Sequence, residues 1–283
     1  MKTENFCAFI LSNNRAGNVK TYNTLRKQGY TGKIYIVVDN LDKQLDEYKN
    51  KFKQEVVVFD KKYAETLCDP MNNFREYRTP LYARNVLWEI AKELGIKYFI
   101  ELDDDYSCFE FKFDVNRQFK TSRILSLDDV FDILVHFLQK TNTHCIAMAQ
   151  GGDYIGGKNG MLGSKIFLRR KVMNSFVCDV ERPFKFQGTF NDDVNGYVRN
   201  GNLGMLLFTN NIVALEQGAT QQNSGGITEA YKRFGTYVKL FHSVMLAPSC
   251  VKISLMGNVD FRIHHKIIFN NCVPKIVDNK YKK

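Results

Sequence analysis

Strand-forming apolar runs alternate with helix-period segments through the first hundred residues, and few folds accept that order. "FCAFIL" (6–11), "KIYIVVD" (33–39), "EVVVFD" (55–60) and "KYFIEL" (97–102) read as strands. Between them "NVKTYNTLRKQG" (18–29), a polar stretch around 42–52 and "PLYARNVLWEIAKELG" (80–95) read as helices, the last with Pro80 near its start and Gly95 at its end. Strand–helix–strand connections cross over right-handed and leave successive strands parallel. The expected class is therefore α/β, with a mostly parallel, Rossmann-like sheet covered on both faces. Ligands of such sheets collect at the carboxyl ends of the strands.

Beyond residue 110 the pattern loosens. The aromatic "FEFKFD" precedes a helix over 126–140 with a Ser126 cap and an acidic first turn, then a strand over 145–150. Glycine-rich "GGDYIGGKNG" (151–160), a basic strand over 165–171, a short helix over 191–200 and strands near 204–208 and 212–216 follow. The polar, Gly-rich segment 218–228 is expected to be a mobile loop, ahead of a helix over 228–240, the segment "VMLAPSCVKISLMG" (244–257), the strand-like "RIHHKIIF" (262–269) and a basic tail. With neither repeat nor linker, the expectation is one fused domain over 1–283: a nucleotide-binding half over 1–110 and a mixed α/β acceptor half over 111–283.

The chemistry-bearing residues gather where such a sheet would bind. The fourth strand runs into Asp103, Asp104 and Asp105. Carboxylates about 4 Å apart repel by on the order of 4 kcal/mol at an effective dielectric near 20, so a cation is expected to offset them. A continuing strand sends Asp103 and Asp105 to one side and Asp104 to the other, whereas a turn lets two converge; either arrangement can share a divalent cation with a diphosphate. After the first strand, "SNNRAGN" offers Ser12, Asn14, backbone N–H groups and Arg15 to a base or phosphate, and Asp39 ends the second strand where a ribose contact fits. Arg84 and Asn85 lie in the preceding helix, within reach of the pocket. The absence of GxGxxG and of a Walker lysine motif argues against a dinucleotide or ATP site.

Asp192 and Asp193 open a predicted helix, where carboxylates favour the N-terminus and can also serve as a general base. His264 and His265 adjoin, and strand alternation lets one of them join two carboxylates around Mn(II) or Mg(II). Gly151 and Gly152 suggest close backbone approach to a ligand, and Asp153 can bond sugar hydroxyls.

Charge is unevenly placed. Of the net +10, residues 1–150 hold 22 basic and 21 acidic side chains (+1), and residues 151–283 hold 18 and 9 (+9). That asymmetry points the second half at a polyanion, most simply nucleic acid. Seven scattered cysteines without a CxxC pair read as reduced, buried thiols of a cytoplasmic protein. No run approaches the roughly 18 apolar residues of a spanning helix, so no membrane is expected.

Together these features look like a glycosyltransferase of the GT-A fold. More closely, "FILSNNRAGNVKTYNTLRKQGYTGKIYIVVDN", "ARN", "KYFIELDDDY", "AMAQGGDYIGGKNG", "NDDVN", "TYVK" and "SVMLAPSCVKI" resemble the TET-associated glycosyltransferases, bacteriophage and related enzymes thought to glycosylate hydroxymethylated pyrimidines in DNA. The resemblance implies a nucleoside-diphosphate sugar, with UDP expected, held by Ser12 to Arg15, Asp39 and Arg84. It implies a metal at Asp103 and Asp105 with His264 or His265, and an acceptor-side acid at Asp192 or Asp193. It also implies work in the cytoplasm of a phage-infected host. The family pair often reads Glu-Asp where this chain has Asp-Asp, which puts Asp193 first as base. Of the three aspartates, Asp105 ranks first as direct metal ligand, Asp103 as metal or ribose contact, and Asp104 as the most expendable. Two rivals share these features: a metal-dependent nuclease or nucleotidyltransferase, and a non-enzymatic DNA-binding module.

Overall fold

The computed structural model describes residues 3–71, 78–218, 227–235, 237–256, 262–272 and 279. In chain order its elements are β1 (Phe6–Leu11), α1 (Lys20–Lys27), β2 (Lys33–Asp39), α2 (Leu45–Phe52), β3 (Val56–Phe59), α3 (Lys61–Thr66), α4 (Leu81–Glu93), β4 (Tyr98–Asp103), β5 (Tyr106–Phe113) and β6 (Phe119–Arg123). They continue with α5 (Leu127–Lys140), β7 (Cys145–Gln150), β8 (Leu168–Arg169), β9 (Ser175–Asp179), α6 (Asp192–Asn202), β10 (Leu207–Gln217), α7 (Ile227–Phe234), α8 (Val238–Leu246), β11 (Val251–Met256) and β12 (Arg262–Ile267).

All six residues of β1 are buried, because helices cover the sheet on both sides. Phe6, Ala8 and Ile10 join Leu25 and Phe131 in one core, while Cys7, Phe9 and Leu11 join Trp88 and Phe99 in the other. One ten-stranded sheet, in the order β3-β2-β1-β4-β9-β7-β10-β5-β6 with β8 also on β10, runs through both halves of the chain. The β3-β2-β1-β4 section is wholly parallel, as the alternation predicts. Strands β5, β8 and β9 oppose the rest, so the direction is mostly parallel.

The sheet has to curl. Only Asp104 and Asp105 separate β4 from β5, yet β9, β7 and β10 lie between those strands in the sheet. A flat sheet would put β4 and β5 about 19 Å apart, at roughly 4.8 Å per strand. Three residue steps span at most about 11 Å. The carboxyl edge is therefore drawn together around the aspartate turn.

Several elements differ from the sequence reading. The expected strands near 204–208 and 212–216 are one strand, β10, whose register shifts between Asn210 and Ala214. The expected strand over 165–171 contracts to β8, and the helix over 228–240 divides into α7 and α8 around Gly235, whose φ is +82°. Short β6, α3 and β9 lacked a periodic signal of their own. The proposed mobile loop falls largely on residues 219–226, outside the described residues.

α1 is fastened to the start of β5 and to α5 by one buried amide. Gln28 Nε2 donates to the carbonyls of Phe109 and Ile124 at 2.7 Å each, and its Oε1 accepts from the Phe109 N–H at 2.9 Å. Replacing Gln28 with Leu takes this partner from the Phe109 N–H and the Ile124 carbonyl, at about 1–3 kcal/mol per group, while the Phe109 carbonyl keeps the Ile124 N–H. We expect Gln28→Leu to unfold in urea with a stability lower by roughly 3 kcal/mol.

Candidate active site

The loop after β1 is built onto the turn after β4. Ser12 Oγ donates to Asp104 Oδ2 at 2.6 Å and lies 2.6 Å from the Tyr48 hydroxyl, which accepts from the Arg15 backbone N–H at 2.8 Å. Arg15 Nη1 reaches Asp104 Oδ1 at 2.8 Å. Thr21 Oγ1 donates to the Asp103 carbonyl at 2.6 Å and accepts from the Tyr106 N–H at 2.9 Å, pinning both sides of the turn.

This corrects the ranking of the aspartates. Asp104, expected to be expendable, is the most buried of the three, at 2% exposure. The chain turns after Asp103 instead of continuing as a strand, and that turn aims Asp104 at the β1 loop. Burial pushes its carboxyl up, against the pull of Arg15 and Ser12.

Asp39 supports the far side of the same loop. Its carboxylate accepts from Lys61 Nζ at 2.9 Å, Asn13 Nδ2 at 3.0 Å and the Leu41 N–H at 2.9 Å. The Asn14 N–H donates to Asp42 Oδ2 at 2.8 Å. Most of Asp39's acceptor capacity is thus committed within the protein.

Arg84 is the cation around which the remaining acids assemble. Its guanidinium is buried, with Nη1 2.8 Å from Asp192 Oδ2, Nε 3.3 Å from Glu101 Oε1 and Nη2 3.6 Å from Asp103 Oδ1. Phe176 and Phe186 lie under it at 5.1 and 5.4 Å from Cζ to the ring centroids. Burial alone would lower the Arg84 pKa, but Asp192, Glu101 and Asp103 outweigh it and hold the group charged. Burial raises the carboxyls in turn: Asp192 to about 6, with Arg84 opposing and Asp193 adding, and Glu101 from the ordinary 4.5 to about 8. Asp103 is raised as well, first by desolvation, although a third of its side chain reaches solvent.

Asp192 and Asp193 open α6 behind Asn191, whose φ of +56° turns the chain into the helix. Asp192 is 4% exposed and turned to Arg84, whereas Asp193 is half-buried and accepts from the Val194 N–H at 2.8 Å. Asn191 Nδ2 lies 3.1 Å from His265 Nδ1, so of the adjacent histidines His265 is the one tied to the acid pair. Burial, then His264, Lys239 and Lys171, lower His265 to about 3, leaving a neutral imidazole. His264 stacks beside it at 4.2 Å between centroids. Among the described residues no three His, Cys, Asp or Glu side chains form a metal-holding group.

Gly151, Gly152 and Asp153 form a short turn after β7. Asp153 is held by Lys171 Nζ at 2.8 Å and Arg169 Nη1 at 3.2 Å. Both glycines are exposed, and a Cβ would meet nothing within 4 Å at either. There is room beside them, but no crowding that demands glycine.

Two residues of this edge escaped the sequence reading. Glu101 shares a strand face with Asp103, and a charged residue inside "YFIELD" was its signal. Asn174, at φ +61°, joins three strand ends: its Nδ2 donates to Gln150 Oε1 at 2.5 Å and Gln217 Oε1 at 2.7 Å, and its carbonyl accepts from the Tyr106 hydroxyl.

A large, mostly parallel sheet whose carboxyl edge is joined through Arg84 to the acid pair of α6 is the mixed α/β arrangement of the GT-A type of glycosyltransferase fold. The chain belongs to the TET-associated glycosyltransferase family, whose sequence profile matches residues 6–226. No curated protein is significantly similar in sequence. Similar solved structures include glucosyl-3-phosphoglycerate synthase from Mycobacterium tuberculosis in complex with Mn2+, UDP and phosphoglyceric acid, at 10% identity and a TM-score of 0.43, covering 93% of this chain and 87% of that one. The mannosyltransferase PcManGT from Pyrobaculum calidifontis in complex with GDP-Man and Mn2+ is 10% identical, at a TM-score of 0.46 with 87% and 74% covered. S. aureus TarS in complex with UDP-GlcNAc is also 10% identical, at 0.46 with 84% and 66% covered. Among the described residues, no helix is long and apolar enough to cross a membrane.

The raised Glu101 has a measurable consequence. The folded chain holds this proton more tightly than the unfolded chain, so stability is lost as pH rises from about 4.5 towards about 8. Glu101→Gln keeps a group to accept from Arg84 but cannot ionise. Its Tm should therefore fall less than that of the wild type between about pH 6 and pH 9. Parallel curves would show that Glu101 does not carry this proton.

Proposed function

We propose that this glycosyltransferase moves a sugar from a nucleoside-diphosphate donor, specifically a UDP-sugar, to the hydroxymethyl oxygen of a modified pyrimidine in DNA. Family membership supports the reaction class. The observation that carries the reading is the Arg84 bridge, because one guanidinium joins the donor-side turn at Asp103 to the acceptor-side acid at Asp192.

The donor's nucleotide would rest on the loop Ser12–Arg15, which Asp104, Asp39 and Tyr48 brace from beneath. Asp103 and Asp105 are hard oxygen donors on one turn, and divalent Mg or Mn is commonly held by one or two carboxylates plus substrate phosphates. This donor set fits such a cation. When bound, it would neutralise charge gathering on the leaving diphosphate.

On the acceptor side Arg84 occupies Asp192, which leaves Asp193 to take the proton of the hydroxymethyl group as its oxygen attacks the anomeric carbon. The bond from that carbon to the diphosphate breaks in the same transfer. His265, neutral and joined to Asn191, helps hold the helix start that carries Asp193. The +9 charge of residues 151–283 favours a DNA backbone on this side, and a base inside a duplex must leave the stack to reach the acids.

The direct test incubates the protein with hydroxymethylated DNA and a panel of nucleotide sugars, then weighs the nucleosides. A hexose or pentose increment on one base is expected, and its absence with every sugar would refute the reading. Asp193→Asn should lower transfer by about 100-fold or more while thermal stabilisation by UDP persists. Asp103→Ala should lose both transfer and the effect of added Mn(II). Full activity of either variant, or of enzyme stripped by chelator, would contradict the corresponding role.

A further inference from the structure

Among the described residues, strands β11 and β12 pair only with each other, as a two-stranded sheet apart from the main one. Their register sets Lys252 opposite Lys266, Ile253 opposite His265 and Leu255 opposite Ile263. Alternation then puts Ile253, Leu255 and Ile263 on one face with His265, and Lys252, Ser254 and Lys266 on the other, while the His264 ring lies back against that of His265, 4.2 Å between centroids.

Two features of this ribbon work against its own stability. Ile253, Leu255 and Ile263 are 52%, 65% and 49% exposed, an aliphatic cluster left in water beyond the ribbon's base, where Val251 and Ile267 pack into the main core. Lys252 and Lys266, both exposed, are direct cross-strand neighbours, and like charges so placed repel. No Asp or Glu occurs at positions 251–256 or 262–267 to relieve them. The apolar face also leads to the candidate catalytic acids, because His265 on that face meets Asn191 at 3.1 Å, directly before Asp192 and Asp193.

A partner that is polyanionic outside and apolar within satisfies both faces, and nucleic acid is such a partner. A two-stranded ribbon has the width to enter the major groove, and aliphatic side chains can wedge between bases and unstack them. We propose that the β11–β12 ribbon is the arm that opens the acceptor DNA. Ile253, Leu255 and Ile263 pack against the bases beside the extruded pyrimidine, and Lys252 and Lys266 contact backbone phosphates. This rests on the DNA-acceptor reading above and adds to it the element that grips the strand.

The test measures fluorescence anisotropy of labelled hydroxymethylated DNA against salt concentration, for the full-length wild type, a Lys252→Ala/Lys266→Ala variant and a Leu255→Ser/Ile263→Ser variant. Thermal stabilisation by UDP checks that each variant is folded. The lysine variant should bind more weakly to every sequence, with a log–log salt slope smaller by about 1 per lysine. The aliphatic variant should lose sugar transfer to duplex by about 10-fold or more while keeping transfer to single strands, whose bases are already unstacked. If wild type binds DNA but the lysine variant keeps its slope and affinity, or the aliphatic variant loses transfer equally on both substrates, the ribbon is not the arm and the DNA reading stands. If wild type neither binds nor modifies DNA, the acceptor reading itself falls, and the ribbon's role with it.

Discussion

The candidate site depends on one buried charge. Removing a guanidinium from water is costly, and Arg84 is retained because Asp192, Glu101 and Asp103 surround its edge while two phenylalanine rings pack against one side of it. The three acids come from β4 and from the start of α6, with Arg84 itself on α4, so a single planar fork fixes three elements. A lysine in its place would present a point charge with no fork to divide among them. The excess of carboxyl over cation is relieved by protons, and Glu101 is the group best placed to hold one.

Around this centre the aspartates divide their labour by burial. Asp104 faces inward and locks Ser12 and Arg15, so the loop after β1 is held in place by the protein itself. Asp103 keeps part of its carboxyl accessible at the mouth. Within the second acid pair the same division recurs: Asp192 is buried against Arg84, and Asp193 is only half-buried. In both pairs the buried acid is committed to contacts within the protein and its neighbour stays partly exposed.

The parallel section was legible from sequence because β1, β2 and β4 are largely buried on both faces and its strands alternate with helices whose ends are recognisable. β10 was read as two strands because its ladder breaks between Asn210 and Ala214. β9 was missed because five residues between longer apolar segments carry little periodicity, although it joins β4 to β7. The acids could be found by type and by their position at strand ends. Their partners could not, since nothing local links Arg84 to Asp192 across 108 positions or Ser12 to Asp104 across 92. Asp104 was misjudged for a related reason: a turn and a continuing strand aim the same residue in opposite directions, and tertiary packing chose the turn.

The two-residue connection between β4 and β5 also bears on how the enzyme can move. A tether of at most about 11 Å joins β4 to β5 across three intervening strands of one continuous sheet. Strands joined in this way have no free linker about which to swing, unlike hinged enzymes that open by domain rotation. Adjustment to a bound ligand is then left to the loops and side chains along the carboxyl edge of the sheet, because the strands on either side of the aspartate turn cannot swing apart as separate bodies.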